Sequence, residues 1–455
     1  MLNLSNIKSA FYTPAVLEHL LSVTAAVVSR YSMLLVTIVN TQMMPSEEFG
    51  LFVILLLIAN LITAFVSCGG DMWLNRFSRP RHLAKNHAPI VARLYLKISI
   101  ALAGVVVLTA LYLGFFNSAA FNHAGRGIAW CLAWAAMTGI IETILAVLRT
   151  THVIQRFFII RDFFMPIALI ASIVFFKVNT VEKFFMIAFT IGAITLGLLS
   201  KLVFSRKHHY FPHTRWHGQL FQKVIIGHTI ALILNNLLAR LANGQDALLL
   251  ARTESMVLVG QYRFVTHFAY AFNMIQHYVF LAFPWQLRKA NANSTYFKET
   301  QGIKLRQLLL IISAFPALVL LIFIAKPLLT ILGPEFPLMA LPLSFCLIIR
   351  FSELLWGPQH EILISNKKVF WDTLANVITI LIGGCVFFTS LHYWENGIAS
   401  GLFSLGFSSI AGQLTRHFIL KKYDLLNKTD NFRLNPWYPT LAVFASMIYL
   451  FITME

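Results

Sequence analysis

An arginine lies in the middle of the first apolar stretch of the chain. Arg30 interrupts the stretch from Leu20 to Val39, which holds no other charged residue. At the centre of a membrane helix a charged side chain costs about 2.5 to 3.5 kcal/mol on insertion scales. Arg30 therefore indicates one of two things, either contact with an anionic ligand or a charge pair with an acid on another helix.

Other polar residues recur at helical spacing inside apolar stretches, and polar stripes of this kind are expected to face a water-filled interior. Asn236, Arg240 and Asn243 stand at i, i+4 and i+7 and share one helical face. Arginine suits pyrophosphate because its planar fork donates paired hydrogen bonds and keeps its charge. The predicted ligand-binding set is Arg30, Asn60, Asn236, Arg240, Asn243, Arg263, His267, Tyr270 and His277.

Acidic residues inside the apolar stretches are the candidates for coupling to an ion gradient. The alternative is that one of them, Asp71, Glu142 or Glu353, forms the charge pair with Arg30. Arg350 and Glu353, at i and i+3, are predicted to form a local ion pair. We predict no metal site, because the histidines between residues 208 and 217 lack ordered ligand spacing. The candidate coupling acids are Asp71, Glu142, Asp246, Glu353 and Glu361.

Composition places the chain in a membrane. Its 455 residues are 58% hydrophobic and 12% charged, with a mean hydropathy of +0.72, far from the composition of soluble domains. About 20 apolar residues cross the hydrocarbon core as a helix, and such runs recur throughout. We predict an all-α polytopic protein with spans at 16–39, 49–70, 94–116, 127–148, 162–177, 184–204, 224–250, 260–285, 307–325, 338–364, 372–392, 397–419 and 437–453.

The net charge of +18 is unevenly distributed. Lys and Arg concentrate in every second loop, including 76–93, 206–223 and 286–306, whereas the alternate loops are short and carry acids such as Glu47 and Glu48. By the positive-inside rule, the basic loops and the N-terminus are predicted to be cytoplasmic. Anionic membrane lipid explains the charge, and no nucleic-acid partner is predicted.

The sequence contains a weak internal repeat with an offset of 210 residues. This shift places Gly50 on Gly260 and Arg30 on Arg240, and it brings Glu142 beside Glu353. The repeat predicts two homologous six-helix lobes of equal topology around a central cavity, plus an additional C-terminal helix. The predicted boundaries are 1–215 for the N-lobe, 216–420 for the C-lobe and 421–455 for a basic loop and a thirteenth span.

The order of these features resembles the polysaccharide-flippase (Wzx-like) branch of the multidrug/oligosaccharidyl-lipid/polysaccharide exporter superfamily. The resemblance covers roughly residues 16 to 420. It rests on the two six-helix lobes, the Phe-Gly-containing opening of the second span, and the segments 327–336 and 365–368. It implies a V-shaped pair of lobes that moves undecaprenyl-pyrophosphate-linked sugars across a bacterial inner membrane by alternating access, for O-antigen, lipopolysaccharide or other surface polysaccharide.

The same resemblance implies no cofactor beyond coupling to H⁺ or Na⁺. The expected partners are lipid-linked oligosaccharide, membrane lipids, a polysaccharide polymerase and a chain-length regulator. Two alternatives stay open: a multidrug or cation exporter of the same superfamily, and a membrane polysaccharide polymerase or ligase. An exporter of cations should have an acidic cavity, whereas the polar stripes of this chain contain arginines. A polymerase or ligase should have a large outer loop or an acidic pair on it, whereas the alternate loops of this chain are short. We therefore expect a transporter and not an enzyme.

Overall fold

The computed structural model describes residues 31, 34–68, 84–116, 123–149, 164–205, 230–280, 296–357, 359–366, 368–423, 440, 441, 443, 445 and 448. Within this part of the chain every regular element is a helix. We number the helices by the span to which they belong. They are α1 (Leu34–Met43), α2 (Ser46–Val66), α3 (Ala84–Phe116), α4 (His123–Arg149), α5 (Met165–Phe175), α6 (Val181–Ser205), α7a (Ile230–Ala242), α7b (Gln245–Thr253), α8 (Met256–Phe280), α9 (Tyr296–Leu332), α10a (Ala340–Trp356), α10b (Gln359–Ser365), α11 (Val369–Trp394) and α12 (Gly397–Lys422).

The helices lie where the apolar runs predict them, and seven of those described are long and apolar enough to cross a membrane. Two helices extend further than predicted. Helix α3 begins at Ala84 and α9 at Tyr296, so the second halves of the predicted basic loops 76–93 and 286–306 are helical. A helix can continue through polar residues beyond the hydrocarbon core, and a prediction from hydropathy alone does not include that part of the helix.

The helices pack as two six-helix lobes. In the N-lobe, α4 is central and packs against α2, α3 and α6. In the C-lobe, α11 packs against α12 and α7a, and α10a packs against α8 and α9. The lobes meet where α2 crosses α8 and α7a. Five described residues between 440 and 448 are also helical, at the position of the predicted additional C-terminal helix.

One end of the bundle, which we call the acidic end, carries Glu48, Glu254 and Glu335. Here each lobe uses a glutamate side chain to cap the N-terminus of a helix. Glu48 accepts a hydrogen bond from the backbone N–H of Val181, at the start of α6, with an N···O distance of 2.8 Å. Glu254 accepts one in the same way from Gly397, at the start of α12, at 3.1 Å. A carboxylate at a helix N-terminus satisfies an unpaired donor and the helix dipole, so both lobes stabilise the start of their sixth helix in the same way, although the 210-residue offset does not align Glu48 with Glu254.

Two spans are broken. The Trp356-Gly357-Pro358 segment predicts a kink in the tenth span, and the structure confirms it. Helix α10a ends at Trp356, Gly357 has a φ of 74°, and α10b begins at Gln359. The continuous span predicted at 224–250 is wrong, because Asn243 and Gly244 separate α7a from α7b. Asn-Gly is a strong turn signal, and here it interrupts an apolar run.

Candidate functional site

The break in α7 creates a polar site at the lobe interface. At the break, the side-chain amide of Asn243 donates to the carbonyl of Ala239 at 3.0 Å. The carbonyl of Asn243 accepts from Nη1 of Arg263 at 3.1 Å. Backbone groups released inside a membrane protein need such partners, because no bulk water reaches them. Two residues of the predicted ligand-binding set, Asn243 and Arg263, therefore stabilise the break.

Arg240, in the last turn of α7a, crosses to the N-lobe. Its Nη1 donates to the carbonyl of Asn60 on α2 at 2.8 Å. Its Nη2 lies 3.3 Å from Oε2 of Glu142 on α4. Counted from the start of α2 at about 1.5 Å per residue, Asn60 lies about 21 Å from the acidic end, inside the thickness of a membrane core. The side chains of Arg240 and Glu142 are 28% and 20% exposed, so this ion pair is only partly buried.

A second polar cluster lies inside the C-lobe and joins α7b, α8, α10a and α12. Asp246 is 1% exposed, and its Oδ2 accepts from the hydroxyl of Tyr262 at 2.9 Å. Its Oδ1 has no hydrogen-bond partner among the described residues. The predicted local ion pair is confirmed: Nη1 of Arg350 lies 2.8 and 2.9 Å from the two carboxylate oxygens of Glu353.

The same cluster takes in further residues of the predicted set. The hydroxyl of Ser409 donates to Glu353 at 2.8 Å, and the guanidinium of Arg350 lies 5.1 Å from the ring centroid of Tyr270. Arg263 interacts electrostatically with Asp246 and Arg350. Arg263 and Tyr270 therefore belong to the interior of one lobe, whereas Arg240 belongs to the interface between the two lobes.

A third cluster surrounds Asp372, which sequence reasoning missed. Asp372 is 0% exposed and lies in the first turn of α11. Its Oδ2 lies 2.7 Å from Nδ1 of His360 on α10b and accepts from Asn235 of α7a at 2.9 Å. Its Oδ1 accepts from Nε of Arg416 on α12 at 2.8 Å. Asn376 closes the cluster, because it donates to Asn235 at 2.9 Å and accepts from Arg416.

The Asp372 cluster left a signal in the sequence. Asp372 and Asn376 stand at i and i+4 in an apolar span, and Arg416 lies inside the last predicted span of the C-lobe. The spacing rule that selected Arg240 also selects these three. They were not predicted as site residues because charged residues close to the ends of spans usually lie at the membrane surface.

The remaining predicted residues are scattered. Asn236 is buried in α7a, Asn60 is exposed and offers Arg240 its carbonyl, and His267 is half-buried on α8. His277 and Glu361 lie on described helices, but their side chains fall outside the described part. Arg30 and Asp71 also lie outside it. The structure brings Arg240, Asn60 and Glu142 together, and it places Asn243 and Arg263 beside the cluster that holds Asp246, Tyr270 and Glu353.

No protein-family model matches the chain, and no curated protein matches its sequence. Solved structures share its fold. The MATE multidrug transporter DinF-BH, solved as a complex, matches with a TM-score of 0.68 and 15% identity, over 92% of this chain and 97% of that one. An inward-facing multidrug resistance MATE transporter matches with a TM-score of 0.65 and 10% identity, over 90% and 99%.

A third structure is a MOP superfamily transporter from Pyrococcus furiosus, described by a binding pocket of reverse polarity that suggests a different function. It matches with a TM-score of 0.61 and 12% identity, over 90% of this chain and 96% of that one. The chain therefore has the fold of the MATE transporters of the MOP superfamily. The resemblance to the superfamily is confirmed at the level of the fold, and the Wzx-like branch stays a prediction.

Proposed function

We propose that this protein is a membrane exporter that works by alternating access between its two lobes. We further propose that its cargo is a lipid-linked oligosaccharide with an undecaprenyl-pyrophosphate headgroup. The observation that carries the proposal is Arg240, a permanent cation at the lobe interface, within the membrane thickness and partly exposed. The fold and the basic balance of the chain support it.

The contacts of Arg240 suggest how an anionic headgroup binds. In the described arrangement the guanidinium is occupied by a carboxylate and a backbone carbonyl, both from the N-lobe. When the lobes separate, Arg240 loses both acceptors and needs another anion. A pyrophosphate supplies several oxygens in the geometry that a guanidinium fork prefers. Glu142 then serves as the internal anion that replaces the headgroup after its release.

The proposal extends to location and topology. We place the chain in a bacterial inner membrane, with its N-terminus and basic loops cytoplasmic and its acidic end outside. Surface polysaccharide assembly, such as O-antigen or lipopolysaccharide synthesis, is the process in which such a flippase acts. A polysaccharide polymerase and a chain-length regulator are then its proposed protein partners.

A multidrug or cation exporter is the second candidate, and a specific observation favours it. Glu142 is 20% exposed at the same interface and could hold a cation where Arg240 holds an anion. The fold also fits, since DinF-BH is a multidrug transporter. The two candidates therefore differ in which partner of one ion pair contacts the cargo.

Substitution of each partner separates the candidates. The assay reconstitutes the purified protein in liposomes and measures flipping of a fluorescent undecaprenyl-pyrophosphate oligosaccharide by loss of quencher access. We expect Arg240→Ala to slow flipping about 10-fold or more, since a hydrogen bond to a charged group contributes about 1.5–3 kcal/mol. Arg240→Lys should be intermediate because lysine lacks the fork. Glu142→Gln should keep or raise the rate, because it removes a competing anion.

Arg252→Ala is the matched control, because Arg252 is an exposed arginine at the end of α7b. It should flip lipid at the wild-type rate. A cation exporter predicts the reverse pattern, in which Glu142→Gln abolishes transport of a cationic dye and Arg240→Ala spares it. A purely structural pair predicts that either change lowers the amount of folded protein and that their combination restores it. Full lipid flipping by normally abundant Arg240→Ala overturns the cargo assignment.

A further inference from the structure

The Asp372 cluster has an unusual charge count. One fully buried carboxylate faces a permanent cation, Arg416, on one oxygen and an imidazole, His360, on the other. Its other two members, Asn235 and Asn376, are neutral. With a neutral imidazole the cluster carries no net charge, and with an imidazolium it carries one positive charge. Its charge therefore depends on a single histidine.

Resting on the proposed transport function, we propose that His360 is the proton-binding site that couples this protein to a proton gradient. Histidine is the side chain whose charge ordinarily changes between pH 5 and 8. Its side chain is 26% exposed, against 0% for Asp372 and 13% for Arg416. His360 is therefore the most exposed of these three charged or titratable members.

The surrounding groups leave His360 as the titrating member. Helices α11 and α12 pack against α10b and bring Lys368, Asp372, Arg416 and His417 to this region. The ammonium of Lys368 lies 3.7 Å from the ring centroid of Tyr423, and the ring of His417 packs on Trp356. Asp372 and Arg416 already form an ion pair with an N···O distance of 2.8 Å. Proton uptake on the imidazole therefore adds a cation to a carboxylate that already holds one.

Proton binding changes the balance of contacts around the carboxylate. On proton uptake the imidazole becomes an imidazolium, and its Nδ1–H donates to Oδ2 of Asp372. Asp372 then faces two full cations, and its attraction for each is partly offset by their mutual repulsion. At low local dielectric this repulsion is strong. Helix α10b carries His360 and is separated from α10a by the break at Gly357. We therefore expect α10b to be the element that moves when His360 takes up a proton.

The first experiment detects the proton directly and needs no cargo. Solid-state NMR of the full-length protein, labelled with ¹⁵N-histidine in lipid, is recorded from pH 5 to 8. We expect the wild-type spectra to contain an imidazole signal that converts from the neutral to the imidazolium form in this range and that is missing from His360→Gln. Glutamine can still donate to Asp372, so this variant should fold. The exposed His392→Gln is the control and should retain the signal. A His360 signal that does not titrate in this range overturns the proposal.

The second experiment tests coupling in the reconstituted flipping assay. A gradient of two pH units can drive up to about 100-fold accumulation for one proton. We expect the gradient to accelerate wild-type flipping several-fold and to leave His360→Gln at its rate without a gradient. His392→Gln should behave as wild type. Equal stimulation of His360→Gln, or stimulation of wild type by Na⁺ alone, refutes proton coupling at His360.

The two experiments also separate the proposals from each other. If the cargo assignment is wrong, wild-type protein flips no lipid under any gradient, and the histidine titration is still observed. If the proton site is wrong, lipid flipping persists and the imidazole signal does not titrate.

Discussion

The crossing of α2 and α8 at the acidic end offers the sharpest test of how the lobes close. Gly50 and Gly260, which the 210-residue repeat aligns, meet at this crossing. A Cβ on Gly260 would lie 3.0 Å from the Cα of Gly50, and a Cβ on Gly50 would lie 1.8 Å from the carbonyl oxygen of Met256. Nearby, Glu335 accepts hydrogen bonds from Ser46 of the N-lobe at 3.2 Å and from Gln261 at 3.1 Å.

We predict that Gly50→Ala forces the lobes apart at this end. The added methyl group needs about 3.4 Å from the Met256 oxygen, so the helices must separate by about 1.6 Å. A backbone carbonyl cannot turn aside as a side chain does, and overpacking of this kind costs about 1–3 kcal/mol. Because α2 is helical whether the lobes are closed or apart, helix propensity does not offset this cost, and a loss of about 1–3 kcal/mol reduces the closed population about 5- to 150-fold.

Pulsed electron paramagnetic resonance measures this change. Spin labels are placed at Lys183 and Glu395, two exposed acidic-end positions on different lobes, after the four native cysteines are replaced by alanine. Gly50→Ala should shift the distance distribution toward longer values. Gly104→Ala is the control, because a Cβ there has no neighbour within 4 Å. An unchanged distribution in Gly50→Ala, with unchanged thermal stability, refutes the reasoning.

Two further predictions concern stability and topology. Tyr262→Phe removes the hydroxyl that donates to Asp246, leaving a buried acid without that donor, and should lower the free energy of unfolding by about 1–3 kcal/mol. Thermal melts in detergent check this against Tyr393→Phe, which changes a 75% exposed side chain, and equal melting temperatures contradict it. Cysteines at 82 and 291, in basic loops, should resist an impermeant reagent in intact cells, and their labelling would reverse the proposed orientation.

Hydropathy and the internal repeat predict much of the fold. Apolar runs place the helices because the membrane core requires about 20 such residues. The offset of 210 residues aligns Gly50 with Gly260, and the structure places this pair at the lobe crossing. Neither signal gives the rotation of a helix about its axis. That rotation decides that Arg240 meets Glu142 across the interface, whereas Glu353 bonds within its own lobe.

The Asp372 cluster shows why the rest escaped prediction. Its charged members come from α10b, α11 and α12, which are far apart in sequence or near the ends of their spans. Near a span end, an acid and an arginine are ordinary interface residues. Only the packing of four helices reveals that Asp372 is fully buried. The break in α7 was missed for a related reason, since its Asn-Gly signal stands inside an apolar run that reads as continuous.

The two lobes share a fold but differ in the side chains that they bury. The described N-lobe core contains a packed aromatic group, in which the Phe52 ring centroid lies 4.7 Å from that of Phe184. The C-lobe instead buries the polar clusters around Asp246 and Asp372. Charge changes at these clusters should have large effects, because the local dielectric is low inside a lobe.

Helix α7a links the Asp372 cluster to the lobe interface. Asn235 donates to Asp372, and five residues later Arg240 bonds to Asn60 and Glu142 of the N-lobe. At about 1.5 Å per residue the two contacts are about 7.5 Å apart along the axis. The turn at Asn243 and Gly244 separates α7a from α7b, and Arg263 donates to the carbonyl of Asn243 there, so the Asp246 cluster also contacts this end of α7a. Protonation of His360, as proposed above, therefore has a route of less than two helical turns to the ion pair that joins the lobes.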